Sequence, residues 1–147
     1  MSELLAQIQR DLTAARKAQD KAGTLLLSTL LADLKNQRIE LRRDLTDEDV
    51  REVLRRGAKR RREAVELYEQ GNRPELAARE RAEIAVIERY LPAQVGADEL
   101  RAAVASAIAA GATSLGAVMG AVMPRYKGRV DGALLNSIAR EELSKRG

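Results

Sequence analysis

The stretch LTDEDVREVLRRGAKRRREAVELYEQGNRPELAARERAEIAVIERYLP, residues 45–92, decides the fold. Thr46 stands before Asp47, Glu48 and Asp49, an N-cap followed by three acids where the helix dipole favours negative charge. Val50, Val53, Leu54, Val65 and Tyr68 recur at helical spacing, so a helix runs to Gln70 and stops at Gly71. Pro74 suits the first turn of a further helix, which extends to Tyr90 and ends at Leu91-Pro92. Two long helices joined at Gly71 predict an antiparallel hairpin.

One charge lies on the wrong face of that hairpin. At about 100° per residue, Arg61 falls among the apolar residues of its helix, and a guanidinium cannot stay buried alone. Glu80 lies in the stripe defined by Leu76, Ile84 and Ile87, with Glu83 one turn along. Arg61 is ten residues before Gly71 and Glu80 nine after it, so a hairpin centred on Gly71 brings them level. The expectation is an Arg61–Glu80 ion pair with Glu83 as second acceptor. Its role is structural: no nucleophile lies nearby in sequence, and Arg61 would hold both carboxylates ionised.

Upstream, Leu4, Leu5, Ile8, Leu12 and Ala15 mark a first amphipathic helix over 2–18. After a break near Asp20 to Gly23, Leu27, Leu30, Leu31, Leu34 and Leu41 mark a second, to about Arg43. Downstream the texture changes. Residues 1–91 carry 19 basic and 17 acidic side chains and residues 92–147 carry 7 and 5, the latter part being rich in Ala and Gly. Apolar runs at 98–110, 114–123 and 131–145 predict three shorter helices. No strand pattern occurs. The expected fold is all-α: an N-terminal long-helix hairpin domain (1–91), then a small three-helix C-terminal domain (96–147), with the boundary at 92–97.

Composition narrows the chemistry. The chain has 147 residues, 45% apolar, with no Cys, His, Phe or Trp and three Tyr. Without Cys or His there is no disulfide, no thiolate metal site, no cysteine nucleophile and no imidazole base. The expectations are no catalytic residue, no cofactor and no metal. No run reaches the ~18 apolar residues a membrane span needs, and the start MSELLAQIQRDL reads as an amphipathic helix, not a signal peptide. The expected location is the cytoplasm.

Net charge is +4, and local clustering says more than the total. Arg51, Arg55, Lys59 and Arg62 form a stripe on the helix from 47 to 70, flanked by Arg56 and Arg60. One reading is a solvated face relieved by Glu63 and Glu66; the other is a surface tracking phosphates, with Lys59 and Arg62 as contacts. A second cluster lies in MGAVMPRYKGRVDG, residues 119–132. Pro124 ends a helix, Gly128 permits a positive-φ turn and Asp131 caps the last helix. Those three residues have structural explanations. Arg125, Lys127 and Arg129 do not, and they gather beside the amides of a helix start, a place that suits phosphate. With so few aromatics, any RNA would be held by shape and backbone, not by base stacking. Gly116-Ala-Val-Met-Gly120 is read as close helix packing inside the small domain, and Met119 and Met123 as core filler.

The segments LKNQRIE (34–40), LTDEDVREVL (45–54), 59–95 with its ExxE…YLPxQ pattern (Glu80, Glu83, Tyr90, Leu91, Pro92, Gln94), and the MGxVM…KGRxDG segment resemble the YqeY-like proteins of the GatB/YqeY family. The last segment is also similar to the tail of the glutamine-dependent aspartyl/glutamyl-tRNA amidotransferase B subunit. Ala121 departs from the pattern, standing where such chains commonly carry Lys or another polar residue. The resemblance implies an all-helical protein whose C-terminal part is like a module associated with tRNA binding. It also implies carbon–nitrogen ligase activity with glutamine as amido-N-donor. That activity is not carried over, because nothing here resembles the kinase-like catalytic domain that precedes the tail in the amidotransferase.

Three functional expectations follow. The first is a non-catalytic module binding tRNA or a tRNA-handling complex through Arg125, Lys127, Gly128 and Arg129. The second is an amide-transferring ligase or its accessory. The third is a protein-interaction scaffold.

Overall fold

A computed structural model describes residues 2–146. Every regular element among them is helical, in the order α1 (Glu3–Lys17), α2 (Lys21–Leu41), α3 (Asp47–Gln70), α4 (Pro74–Glu88), α5 (Ala97–Ala109), α6 (Leu115–Val122), a 3-10 turn (Met123–Tyr126) and α7 (Gly132–Ser144). The chain divides into two compact units, Met1–Leu91 and Pro92–Gly147, each with its own apolar core.

The first unit is two helical hairpins, α1 with α2 and α3 with α4. Caps define the elements. Ser2 accepts from the Leu5 amide at 3.1 Å and Asp20 from the Gly23 amide at 2.9 Å. Thr46 and Asp49 form a reciprocal capping box on α3, each side chain accepting from the other's backbone N–H, so two orphan amides are satisfied at once. Pro74 stands at the first turn of α4, where its missing N–H costs nothing. Ile8, Leu30, Leu34, Leu54 and Ile87 are fully enclosed; each contributes ~1.5–3 kcal/mol relative to an exposed side chain.

The turn between α3 and α4 explains the hairpin's register. Gly71 has φ −84°, a conformation any residue adopts. The left-handed residue is Asn72, φ 57°, a conformation Asn tolerates better than most residues with a side chain. Asn72 N–H donates to Glu69 O at 3.1 Å and Arg73 N–H to Tyr68 O at 2.7 Å, the paired closure of a Schellman end. With α3 ending at Gln70 and α4 starting at Pro74, the hairpin is centred on Asn72.

In the second unit α5 packs on both α6 and α7. Leu100, Val104, Val118 and Leu135 are fully buried. Arg101 on α5 reaches Glu141 at 3.6 Å and Glu142 at 3.4 Å on α7. The α-helix before Pro124 ends at Val122, and the chain tightens into the 3-10 turn that carries Pro124 and delivers Tyr126 into the core, 6% exposed.

Two expectations about α6 are overturned. Gly116 and Gly120 are exposed, and a methyl group built on either would meet nothing within 4 Å. Their spacing therefore reflects no helix packing within the chain, because the packed face of α6 is the one bearing Val118 and Val122. Met119 packs against the core, but Met123, at the end of that helix, is 38% exposed.

Candidate nucleic-acid interface

The two basic clusters differ in what surrounds them. On α3, Arg51 meets Glu48 at 3.3 Å, Arg55 meets Glu48 and Glu52, Arg60 meets Asp33 at 3.6 Å, and Arg62 meets Glu88 at 3.1 Å. Relief thus comes from the acidic first turns of α3 itself, from α2 and from α4. Glu63 and Glu66, the expected partners, form no ion pair among the described residues. Of the candidate contacts on this helix, Arg62 is paired and Lys59 is exposed without a carboxylate partner among the described residues.

Arg61 is half-buried, its side chain 14% exposed. Its Nε donates to Glu83 Oε2 at 2.8 Å and its Nη1 to Gly57 O at 3.0 Å. Glu83 is thus the carboxylate bound, and Glu80, the expected first partner, forms no ion pair among the described residues. The reason is the turn: a hairpin centred on Asn72 sets 61 level with 83, whereas one centred on Gly71 points to 80 and 81. The absence of a side chain at buried Gly57 leaves room for the guanidinium to fold back, its Nη1 lying 3.3 Å from where a Cβ would stand.

The corner before α7 is built differently. Tyr126, Lys127, Gly128 and Arg129 form a type II β-turn: Lys127 has φ −47° and ψ 124°, Gly128 has φ 79°, and Arg129 N–H donates to Tyr126 O at 2.8 Å. That geometry requires a positive φ at the third position, which explains Gly128. Lys127 sits at the apex and is exposed. The Arg125 guanidinium stacks 5.3 Å from the centroid of the Tyr126 ring, a cation–π contact that keeps the charge at the surface. Arg129 Nε donates to Ala93 O at 3.2 Å, and Arg129 O accepts from Val95 N–H at 2.7 Å. None of the three cations pairs with a carboxylate among the described residues.

The start of α7 is not open to an anion as the sequence suggested. Asp131 accepts from Ala133 N–H at 3.0 Å and from Leu134 N–H at 3.4 Å. A carboxylate already occupies the place where a helix would hold phosphate. The positive character of the corner therefore rests on side chains alone.

Sequence reasoning missed three tethers. The Ser2 hydroxyl donates to Asp47, Tyr90 OH donates to Asp11, and Arg129 holds Ala93. The Ser2 hydroxyl, then the Leu4 amide, hold the Asp47 carboxyl below its usual range. Burial first, then the bond to Asp11, pushes the Tyr90 phenol up. An open groove of about 730 Å³ is lined by Tyr90 together with Leu4, Ala15, Leu27 and Val86 among others.

These features define an all-α protein with a hairpin unit in which most α3 cations are paired with acids, and a basic, glycine-bounded corner on a small helical unit. No helix among the described residues is long and apolar enough to cross a membrane. The chain belongs to the YqeY-like protein family, which matches residues 5–143. It is also similar to an uncharacterized protein of Schizosaccharomyces pombe, 28% identical over 89 residues, which cover 60% of this chain and 72% of the yeast one.

Proposed function

We propose that the chain is a non-catalytic helical module that binds the backbone of a structured RNA of the tRNA class through the corner Arg125–Arg129. The observation that supports this reading is a contrast: most α3 cations have acidic partners, whereas the corner gathers three with none among the described residues. Unpaired cations held on a tight turn gain from a polyanion because counterions leave the phosphates. Arg125 and Lys127 are the contacts in this reading; Lys59 on α3 is a secondary one. Recognition is by backbone position, since the chain offers Tyr126 no freedom to stack on a base.

Retention of bulk tRNA in an electrophoretic shift at low ionic strength tests it. Wild type should shift the RNA and lose it as salt rises. Arg125→Glu with Lys127→Glu should abolish the shift while helicity stays intact. The reading fails if wild type shows no salt-dependent shift. It assigns no bond-making step to the chain, so ATP- and glutamine-dependent amidation by the isolated protein would also overturn it.

A further inference from the structure

We infer that Arg129 is a positioning residue that sets the Lys127 apex, resting on the RNA-binding reading above, and is not itself a phosphate contact. Arg129 is exposed, yet three of its groups are engaged within the unit. Its N–H closes the type II turn on Tyr126 O at 2.8 Å, its carbonyl accepts from Val95 N–H at 2.7 Å, and its Nε donates to Ala93 O at 3.2 Å. The residue is a clasp between two stretches 36 positions apart in sequence, the segment before α5 and the turn before α7. Tyr126 anchors the near side of the same turn in the core. Lys127 is held between those two anchors and has no side-chain partner among the described residues.

The physical consequence is preorganisation. A two-residue apex containing glycine has many conformations when unrestrained, and a cation that must be ordered on binding contributes less than one already ordered. A neutral carbonyl acceptor fixes the guanidinium and leaves its charge intact, whereas a carboxylate would cancel it. Charge alone does not reproduce the clasp. A lysine at 129 keeps the charge but lacks the planar Nε–H fork.

The experiment titrates labelled bulk tRNA with the full chain at several salt concentrations and follows amide exchange at Val95 by NMR. The variants are Arg129→Lys, Arg129→Gln and Lys127→Gln, with circular dichroism as the folding check. Both Arg129 variants should lose about tenfold in affinity, the scale of one charge-assisted hydrogen bond. Their slope of log affinity against log salt should stay at the wild-type value, and Val95 should exchange faster. Lys127→Gln should lower that slope by about one and leave Val95 protected. Wild-type affinity in Arg129→Lys, or a slope lowered by about one in Arg129→Gln, overturns the inference. If wild type binds no tRNA, the RNA reading is lost, and Val95 exchange decides the clasp alone: acceleration upholds it and unchanged protection overturns it.

Discussion

Arg61 and Glu83 face each other across the α3–α4 hairpin with Nε and Oε2 2.8 Å apart, and the same guanidinium bonds the Gly57 carbonyl on its own helix. The pair stands at the edge of the first unit's core, with side chains 14% and 31% exposed. Removing one partner therefore strands a partly desolvated charge.

The corresponding prediction separates the two acids. Glu83→Gln should destabilise the first unit by ~1–3 kcal/mol, the scale of a lost charge-assisted bond with its partner left behind. Glu80→Gln should stay within about 0.5 kcal/mol of wild type, because Glu80 forms no ion pair among the described residues for the substitution to remove. Denaturant midpoints at constant slope measure both. Equal losses at the two positions would mean that the hairpin is centred elsewhere.

Stability should fall at both ends of the pH scale for identifiable reasons. The Arg43 guanidinium, then the Thr46 amide, hold the Asp49 carboxyl well below its ordinary value, and Ser2 with Leu4 does the same for Asp47. A depressed folded pKa gives stability that is present above the unfolded value and lost as pH falls through the folded one, so the loss begins below about pH 4. Tyr90 has the opposite sign. Its raised pKa gives stability that is present below about pH 10 and lost as pH rises beyond it. Thermal unfolding across pH should show Asp49→Asn flattening the acid limb and Tyr90→Phe flattening the alkaline one.

Gly116→Ala and Gly120→Ala should each stabilise the second unit. Neither new methyl group meets anything within 4 Å, neither glycine has a positive φ, and alanine is the better helix former by up to about 1 kcal/mol. A higher unfolding midpoint in both single variants is the expected result. Destabilisation in either would show that the glycine is needed within the chain itself.

Much of this architecture could be read from residue types. Thr46 with Asp49, Asp131 and Pro74 are caps or first-turn residues by chemistry, and each performs that role. The position of Arg61 on an apolar face was equally visible on a helical wheel. Its partner was not, because Gly71 looks like the left-handed residue of the turn whereas Asn72 adopts that conformation, and one residue of offset in the centre moves the facing position by two residues, about half a helical turn. The Gly116/Gly120 spacing misled for a different reason: a glycine records that space is wanted, not what fills it. The Arg129 clasp was invisible, since every partner of Arg129 in it is a backbone group that any residue carries.

The joints within the two hairpins of the first unit, residues 18–20 and 71–73, are each three residues long, and Asp20 both follows the end of α1 and caps α2. Each hairpin thus finds its partner helix among immediate neighbours along the polymer, with little loop entropy to overcome. Topologies of that kind reach the native state quickly. The two zippered pairs of this unit can form as soon as their second helix has been synthesised, before the rest of the chain exists.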